Sequence, residues 1–394
     1  MKAVYWVEDC ALTPLAFTSE ENYLFVKDGQ TAVANQEQFS LNEKPFFASL
    51  FSEEQRIGLE DELLELRHSG AVRVEYTNDL TWFETLCVLS VQEAVANSKV
   101  DFSVAKNLFI LSTTKGNIEL IDTPDDTRLQ LQITAERILK ACGLNAFPLV
   151  VSNACISGVS AIITAQRFLA AGDYENAIIC GADIITAFVA KGFQALNATA
   201  DGHSRPYDAA RNGINLGEAA ATVVLSTSHF TSIQVKGGSV SNDANHISGP
   251  SRTGAELAKT AELALAESGI NAADLAFISA HGTATVFNDE MESKAFELAG
   301  LSAIPLQSLK PHFGHTLGAA GVLESIISIH ALNEGIVLPS LNYNTYGVSG
   351  KITVNQKKQA VYQTSILKTA SGFGGCNASV VYLKITPEKK LYEN

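Results

Sequence analysis

The sequence predicts an α/β fold in which one plan of strands and helices occurs twice, and three observations carry this prediction. Continuous apolar runs such as Leu108–Ser112 are typical of parallel strands that are buried on both faces of a sheet. Residues Pro148–Ser152, Ile156–Ala171 and Ala177–Cys180 read as a strand, a helix and a strand, which is the unit of a parallel sheet. The second half of the chain then repeats this alternation.

Each predicted element follows from its hydrophobic spacing and from the residues that end it. The predicted helices are Glu20–Lys27, which Asp28 and Gly29 close, and Glu53–Arg67, Leu80–Ala96, Ala135–Cys142, Ile156–Ala171, Ala255–Ser268, Asp289–Leu298 and Gly314–Leu332. The predicted strands are Ala3–Val7, Leu108–Ser112, Pro148–Ser152, Ala177–Cys180, Gly217–Leu225, Ile233–Ser239, Leu275–Ala280, Ile352–Val354 and Ser379–Lys384. The polar stretch His203–Asn215 contains Pro and Gly and is predicted to be a loop.

An internal duplication is indicated by two segments about half a chain apart. The residues after Cys155 (ISGVSAIITAQRFLAAG) and those after His315 (TLGAAGVLESIISIHAL) both begin with small residues and continue as apolar helices. We therefore divide the chain into an N-terminal half, residues 1–230, and a C-terminal half, residues 231–394. No Gly-, Ser- or Pro-rich linker separates the halves, so we expect them to fold together.

The composition indicates a globular protein and argues against several classes. The chain has 394 residues, of which 46% are hydrophobic, and a formal net charge of −14. Such a charge repels nucleic acid and anionic lipid. No uninterrupted apolar segment reaches the roughly 18 residues of a membrane span, the N-terminus is unlike a secretory leader, and the six cysteines include no CxxC pair. We expect a cytoplasmic protein without a membrane segment, with reduced thiols and no metal site.

Cys155 is the candidate nucleophile because it follows a predicted strand and starts a predicted helix. The unpaired N–H groups and the positive end of the dipole at a helix start stabilise a thiolate. Position alone fits a buried structural cysteine equally well. The structural interpretation is favoured for Cys10, Cys87, Cys142 and Cys180.

Two histidines are candidates for the same site. His281 in AHGTAT ends a predicted strand, and Gly282 permits a close backbone approach. His315 in KPHFGHTLGAAG lies among small residues that leave room for a substrate, at the start of the helix predicted over Gly314–Leu332. His312 on the same loop is interpreted as structural. Taken alone, a histidine at a strand end is as consistent with a satisfied core group as with a catalyst.

Lys310 opens the segment that contains His315. It follows an apolar run, so we expect it to be half-buried and to need an acidic partner. Asp289 and Glu292, on the helix after HGTAT, are the candidate partners. The lysine would orient the site and raise its positive potential, and the alternative is a surface lysine whose stem lies along apolar neighbours.

The segment Gly372–Asn377 (GFGGCN) places three glycines around Phe373 and beside Cys376. It precedes a predicted strand instead of a helix, which disfavours a nucleotide-binding loop. A loop of backbone donors, or a hinge that carries Phe373, fits better. The sequence contains no GxSxG, HExxH or P-loop motif, which weighs against serine hydrolases, zinc proteases and nucleotide hydrolases.

Taken in order, these motifs resemble one family. A cysteine after a strand, then HGTATVFND, KPHFGHTLGAAG and GFGGCN, is similar to the beta-ketoacyl-[acyl carrier protein] synthases, the decarboxylating condensing enzymes of fatty acid and polyketide assembly. The resemblance covers residues 75–385. It implies a thiolase-like fold, a duplicated αβαβα sandwich that is normally dimeric.

The resemblance also implies a role for each matching residue. Cys155 would accept the acyl group, and His281 and His315 would form the histidine pair of the family. Lys310 matches the motif lysine, and Glu292 matches the acid that pairs with it. The remaining matches are Thr283, Thr285, Gly372 and Gly374 as substrate-binding residues, with the threonines along the channel for the phosphopantetheine arm. Phe373 would be a gate, the N–H groups of Cys155 and Phe373 would form an oxyanion hole, and Asp289 and Glu324 would be supporting acids.

The sequence departs from the family pattern at several positions. Ala284 in HGTAT and Ala219 in GEAA stand where glycine is customary, and the first strand lacks a glycine-rich continuation. Ile156, directly after the cysteine, is bulkier than the usual small residue. These departures motivate the hypothesis of a specialised pathway, such as polyene assembly.

The resemblance predicts an elongating condensing enzyme that uses acyl- and malonyl-carrier thioesters and needs no cofactor. Its partners would be the acyl carrier protein and a second copy of the chain, or a related subunit in a heterodimer. One alternative is a thiolase-like enzyme that uses coenzyme A, which His315 and its lysine disfavour. The other is a noncatalytic subunit that sets chain length, which Cys155 disfavours.

Overall fold

A computed structural model of the chain describes residues 2–40, 44–103, 106–123 and 126–385. Its helices are α1 Ser19–Lys27, α2 Glu53–Ser69, α3 Trp82–Ser98, α4 Leu131–Ala141, α5 Ser157–Ala171, α6 Ala187–Ala195, α7 Ala255–Ser268, α8 Val286–Leu298, α9 Lys310–Phe313 and α10 Ala320–Glu334. Its strands are β1 Tyr5–Leu12, β2 Ala34–Asn35, β3 Phe47–Ser49, β4 Asn107–Ser112, β5 Phe147–Val151, β6 Asn176–Asp183, β7 Leu216–Gly217, β8 Ala219–Ser226, β9 Ile233–Asn242, β10 Leu275–Ser279, β11 Pro305–Gln307, β12 Ile336–Val337, β13 Thr353–Val354, β14 Gln359–Ala360, β15 Ser365–Gly372 and β16 Cys376–Lys384.

The order of the strands in the main sheet shows the duplication directly. Eleven strands lie in the order β13-β11-β10-β15-β16-β9-β1-β8-β6-β4-β5. The group β5-β4-β6-β8-β1 and the group β11-β10-β15-β16-β9 have the same order and the same pattern of parallel and antiparallel pairs. One register pair, Tyr5↔Gln234, joins the two groups. The predicted duplication is confirmed, while the division of the chain at residue 230 stays a prediction.

The helices form three layers that alternate with the two groups of strands, which gives five layers in all. The helix α3 packs on β1, β8 and β6, and α4 packs on β5, so both cover the outer face of the N-terminal group. The helix α7 packs on β9 and β16, with α8 against it, on the outer face of the C-terminal group. The helices α5 and α10 contact each other and strands of both groups, so they form the middle layer. This is the predicted αβαβα sandwich.

The two middle helices approach closely because each presents a glycine to the other. A Cβ atom on Gly158 would lie 2.8 Å from the Val322 nitrogen, and one on Gly321 would lie 2.4 Å from the Val159 nitrogen. Real Cβ atoms do not come so near to backbone atoms, so only glycine fits at either position. The small residues at the start of both segments therefore set the spacing of the middle layer.

Local sequence signals account for the ends of several helices. Ser52 and Thr81 begin α2 and α3 with a capping box, in which the side chain of each accepts from a backbone N–H three residues later. Gly172 and Gly335 end α5 and α10 in the left-handed conformation that glycine adopts without strain.

The helix predicted over Gly314–Leu332 is wrong at its start, because α10 begins at Ala320. The backbone of Gly314, with φ 69° and ψ −179°, has a conformation open almost only to glycine. His315 is extended, since its N–H donates to Asn215 O (2.7 Å) and its carbonyl accepts from Gly217 N (3.1 Å). A turn of 3₁₀ helix over Leu317–Ala319 then leads into α10.

Several elements were missed from the sequence, of which α6 and β15 are the longest. The helix α6, Ala187–Ala195, is only nine residues long, and its buried residues Val189, Ala190 and Phe193 recur at a helical spacing that could have indicated it. The strand β15, Ser365–Gly372, contains Lys368 in its centre, and a charge there argues against a buried strand. Both elements contribute to the candidate site.

One segment of the described residues, Ala154–Ala171, would suffice for a membrane span by its length and composition. It includes α5, and 72% of it is buried inside the protein. Its apolar character is explained by its place in the middle layer.

We predict that Gly321→Ala destabilises the protein by about 2 kcal/mol or more, because the new methyl group would overlap the backbone of α5. Urea denaturation of the purified protein measures the change. Gly58→Ala is the matched control, since Gly58 lies in α2 with nothing within 4 Å of a new Cβ atom. That variant should gain about 0.5 kcal/mol. Equal stability of Gly321→Ala and the natural protein would contradict the glycine contact.

Candidate active site

The structure brings the predicted cysteine and both histidines to one point. Cys155 follows β5, His281 follows β10, and His315 follows the short helix after β11. The sulfur and the nearest ring nitrogens lie within 4.8 Å of one another. The two imidazole rings meet edge to face, with centroids 5.2 Å apart. All three side chains are buried, Cys155 being 8% exposed.

These three side chains lie at the wall of a cavity of about 440 Å³. The predicted residues Thr283, Thr285, Gly372 and Phe373 also line it. The two threonine hydroxyl groups are 2.8 Å apart, so they share a hydrogen bond on the cavity wall. The cavity thus gives a ligand access to the sulfur and to both imidazoles.

Cys155 is held by a tight turn between β5 and α5. Ala154 has a φ of +44°, and the Ser157 hydroxyl accepts from Asn153 N (2.8 Å) and donates to Ala154 O (2.6 Å). Burial raises the pKa of the Cys155 thiol, and the charges of Lys310 and Lys115 oppose that rise without overcoming it. The expected effect of a helix start on the thiolate is therefore outweighed by burial.

The histidines are neutral N–H donors in this environment. Burial, followed by the charge of Lys310, holds the pKa of His281 and of His315 well below 6.5. His315 Nδ1 accepts a hydrogen bond from Leu317 N (3.3 Å), which assigns the ring proton to Nε2. Within the described residues, that Nε2 atom has no hydrogen-bond partner. It is free to donate to a ligand in the cavity.

The acid that pairs with Lys310 is Glu324, so the expectation of Glu292 as the partner is wrong. Lys310 Nζ lies 2.6 Å from Glu324 Oε1, and Lys368 Nζ lies 2.5 Å from Oε2. Glu324 is on α10, whereas Lys310 is the first residue of the separate short helix α9. Burial would raise the pKa of Glu324, but the two lysines lower it by more. Lys310 is 1% exposed and not half-buried.

Glu292 and Asp289 instead hold the backbone that carries His281. Glu292 accepts from His281 N (2.9 Å) and Gly282 N (2.7 Å), and Asp289 accepts from Thr283 N (3.0 Å). Burial raises the pKa of Asp289 to about 7, and the neighbouring charge of Glu292 adds to the rise. Asp289 and Glu292 thus fix the loop that carries His281 at the end of β10.

The GFGGCN segment is the turn between β15 and β16. A Cβ atom on Gly372 would lie 3.0 Å from Cys155 N, so the turn packs against the nucleophile. The N–H of Phe373 faces the sulfur of Cys155 and lowers its pKa. The ring of Phe373 stacks on Phe193 of α6, with centroids 5.9 Å apart. Gly374 N donates to Ile247 O (2.7 Å), which ties the turn to a second loop.

The loop of His315 is built on a contact between two glycine backbones. A Cβ atom on Gly314 would lie 2.1 Å from Leu216 O, and one on Gly217 would lie 1.9 Å from Phe313 O. Asp183, at the end of β6, accepts from Gly318 N (2.7 Å). The expected decoy His312 is buried, and its Nδ1 bonds to Gln30 O at 2.5 Å. His312 thus fixes the loop, as the sequence indicated.

Sequence reasoning missed four residues that build the site. Lys368 lies in an otherwise apolar run, and its charge there could have marked it as part of a site. Phe193 lies in a helix that was not predicted. Asp183 ends a predicted strand with a carboxylate, which could have marked it. Tyr207, in the loop after α6, donates its hydroxyl to Glu292 Oε2 (3.0 Å), and no sequence pattern pointed to it.

A thiolate and two neutral imidazoles are also ligands that a soft divalent metal ion accepts. The spacing of Cys155, His281 and His315 permits such a set. The buried ammonium of Lys310 next to them disfavours a second cation. The arrangement of one thiol and two imidazoles is suited to nucleophilic and hydrogen-bond-donor chemistry at the cavity wall.

Comparison with known proteins places both halves of the chain in one family. Residues 106–230 match the family model described as "Beta-ketoacyl synthase, N-terminal domain", and residues 233–344 match "Beta-ketoacyl synthase, C-terminal domain". Together the two matches cover more than half of the chain.

Two curated relatives are both 3-oxoacyl-[acyl-carrier-protein] synthase 2. The protein of Rhizobium meliloti (strain 1021) is 36% identical over 255 residues, which is 60% of each chain. The matched stretch thus spans less than two thirds of that relative. The protein of Vibrio cholerae serotype O1 is 26% identical over 416 residues, covering 95% of this chain and 97% of the relative.

Solved structures share the fold. A beta-ketoacyl synthase from Burkholderia phymatum STM815 superposes with a TM-score of 0.85 at 22% identity, covering 98% of this chain and 100% of the other. A ketosynthase in complex with its chain length factor from Xenorhabdus doucetiae superposes with a TM-score of 0.84 at 20% identity, covering 97% and 98%. At these identities the likeness establishes the thiolase-like fold.

We predict that Glu324→Gln destabilises the protein by about 3 to 5 kcal/mol, because it leaves two buried lysines without an anion. Chemical denaturation near neutral pH measures the loss. Glu262→Gln is the matched control, since Glu262 is half-exposed and pairs with Lys259 at 3.8 Å. That surface pair should contribute less than about 1 kcal/mol. Similar losses in both variants would show that Glu324 does not balance the buried lysines.

Proposed function

This chain belongs to the beta-ketoacyl synthase family, and on that premise we propose that it condenses an acyl group with a malonyl unit. Both would be carried as thioesters of an acyl carrier protein. The single observation that carries the proposal is the meeting of the Cys155 thiol with the neutral rings of His281 and His315 at one cavity wall. A nucleophile and two N–H donors are what this reaction needs.

In the first step, Cys155 attacks the carbonyl carbon of the acyl thioester. Its thiol proton leaves with the carrier thiol, and the acyl group stays on the sulfur. The N–H groups of Cys155 and Phe373 would hold the oxyanion of the tetrahedral intermediate. The close packing of Gly372 on Cys155 N supports this, since it brings both N–H groups beside the sulfur.

In the second step, the malonyl thioester loses carbon dioxide. The electrons of the broken bond form an enolate, whose oxygen would accept from His281 and from His315 Nε2. The unpartnered Nε2 supports this role, because a buried donor without a partner is costly unless a ligand satisfies it. The enolate carbon then attacks the acyl carbon, and the thiolate of Cys155 leaves.

The buried cations make neutral donors compatible with an anionic intermediate. Lys310 and Lys368 share one carboxylate, so the group of three carries a net positive charge. Burial first, and then that charge, keeps the histidines unprotonated, and the charge also favours an enolate nearby. Protonated histidines would supply stronger donors but would bind the malonyl carboxylate as an ion pair and oppose its loss.

The carrier would deliver its substrates through the cavity that Thr283 and Thr285 line. Their hydroxyl groups can bond to the amides of a phosphopantetheine arm. The ring of Phe373, stacked on Phe193 at the same cavity, is placed to act as a gate. His315, with Lys310 beside it, supports this carrier-dependent reaction over that of a thiolase-like enzyme that uses coenzyme A.

The proposal extends to the partners. The likeness in fold to a ketosynthase that is complexed with its chain length factor supports a heterodimer as well as a homodimer. A noncatalytic role is not favoured, because this chain has the nucleophile and both histidines in place. A cytoplasmic location and the absence of a cofactor stay predictions of the sequence.

We predict that incubation with an acyl-carrier thioester increases the intact mass of the protein by the mass of the acyl group. Cys155→Ala should show no increase, while Cys142→Ala, which removes a buried thiol of the core, should match the natural protein. Intact-mass spectrometry measures both. An acyl adduct that persists in Cys155→Ala, or its absence for every chain length in the natural protein, would contradict the assigned nucleophile.

We predict that His315→Ala still forms the acyl adduct but releases carbon dioxide from malonyl carrier at least about 100-fold more slowly. His229→Ala, at the far end of β8, should leave both steps unchanged. Single-turnover assays on acylated protein separate the steps. A loss of acylation and decarboxylation in equal measure would argue against His315 as a donor to the enolate.

We also predict the pH dependence of decarboxylation by the acylated protein. Because burial and Lys310 hold both histidine pKa values well below 6.5, the rate should not fall as the pH decreases through 6.5. Single-turnover rates between pH 5.5 and 8 measure this. Asp289→Asn serves as the control, because it removes a neighbouring carboxyl with a pKa of about 7. A midpoint near 6.5 in both proteins would show that a histidine titrates.

A further inference from the structure

We propose that Lys115, in the loop after β4, is a positioning residue that supplies an unpaired positive charge beside Cys155 and His315. By this charge it keeps the nucleophile reactive despite burial. The inference rests on the proposed function only in treating Cys155 as the nucleophile. It concerns a residue that lies outside every motif of the sequence analysis.

The topology places Lys115 and Cys155 at the same edge of the sheet. The strands β4 and β5 are parallel neighbours, with Ser112 opposite Val151. The pairing continues one step further, because Thr113 N donates to Val151 O (3.4 Å). Lys115 comes shortly after the end of β4, and Cys155 comes shortly after the end of β5. The two loops therefore leave the sheet side by side.

A chain of hydrogen bonds leads from the ammonium of Lys115 to the loop of His315. Lys115 Nζ donates to Thr114 Oγ1 (2.7 Å), which in turn donates to Asp183 Oδ2 (2.8 Å). The same carboxylate oxygen accepts from Gly318 N (2.7 Å), three residues after His315. The charge is thus held in place against the segment that carries the second histidine.

The turn around Lys115 is also fixed by Gly116. Its φ is +55°, and a Cβ atom there would lie 2.6 Å from the Leu131 side chain. The hydroxyl of Thr113 accepts from Gly116 N (2.9 Å). The lysine stem therefore projects from a defined turn and not from a flexible loop.

Lys115 differs in its ion pairing from the other lysines near Cys155. The other two lysines near the site, Lys310 and Lys368, both pair with Glu324. Lys115 is half-buried and belongs to none of the ion pairs formed within residues 2–40, 44–103, 106–123 and 126–385. Its ammonium reaches the carboxylate of Asp183 only through the Thr114 hydroxyl.

Burial and four neighbouring groups have the main effects on the pKa of the Cys155 thiol. Burial raises its pKa, Lys310, Lys115 and the N–H of Phe373 lower it, and Asp183 raises it. Asp183 accepts from Thr113 Oγ1 and from Thr114 N as well, so its charge is spread over several donors. Lys115 therefore offsets both the burial of the sulfur and the carboxylate behind it.

The charge of Lys115 also acts on His315. Burial, Lys310, Lys115 and Lys368 all hold the pKa of His315 low. The groups that lower the pKa of His281 are burial, Lys310, His315 and Lys368. Lys115 is thus among the charges that act on both Cys155 and His315.

The pH dependence of alkylation at Cys155 by iodoacetamide tests this inference in the full-length protein. Peptide mapping of the labelled protein reports the rate at Cys155 itself. In Lys115→Met, the midpoint should rise by about 0.5 to 1 pH unit, which makes labelling about three to ten times slower at pH 7. Lys115→Arg should restore the natural midpoint, because it keeps the charge.

The control is Lys191→Met, which removes the charge of an exposed lysine on α6. It should leave the midpoint unchanged. Thermal unfolding of each variant shows whether it is folded, and Lys115→Gln provides a second neutral side chain. An unchanged midpoint in folded Lys115→Met and Lys115→Gln would overturn the inference, as would the same shift in Lys191→Met.

This experiment separates the inference from the proposed function. Alkylation needs no carrier, so a failure of acyl transfer would leave the test of Lys115 intact. Conversely, acylation of Cys155 at the natural rate in both neutral variants, together with an unchanged midpoint, would support the proposed function and overturn the role of Lys115.

Discussion

The contact between α5 and α10 at Gly158 and Gly321 is the constraint on which the site depends. Cys155 lies just before α5, and His315 lies just before the turn into α10. Because the two helices pack at their first turns, the loops that precede them must meet. Duplication thus has a chemical consequence here. Two equivalent strand-to-helix turns, one from each half, deliver a nucleophile and a hydrogen-bond donor to the same point.

The buried charges then decide what that point can do. A site of thiol and imidazoles in an apolar middle layer would favour neutral forms of all three groups. The pairing of Lys310 and Lys368 with a single Glu324 leaves one positive charge in excess. Burial and this excess of charge together keep the histidines neutral, and the charge also favours anions at the sulfur and at a bound carbonyl oxygen. The same charge therefore serves both steps of the proposed reaction.

The sequence was sufficient for the thiol and the two imidazoles at the centre of the site, and less so for the residues around them. Cys155, His281 and His315 each lie in a local motif, and local motifs can be read from one chain. The partner of Lys310 could not be read in this way, because Glu292 and Glu324 lie on two different helices at similar separations from Lys310 in the sequence. Lys368 was hidden for a related reason. A buried lysine in a strand is acceptable only when its anion is known, and that anion lies far away in the sequence.

The departures from the family pattern have structural explanations, which changes their bearing on substrate choice. Ile156 is fully buried in the core with Val159 and is not among the residues that line the cavity. Ala284 is also buried outside the lining, in a left-handed conformation with φ +62° that costs about 1 kcal/mol. Its N–H is held by Asp289 (3.2 Å), which stabilises that conformation. These residues alter how the loops are supported and not the space in which an acyl chain would lie. Any preference for a specialised substrate would therefore depend on the residues of the cavity wall, where Phe193 and Phe373 stack.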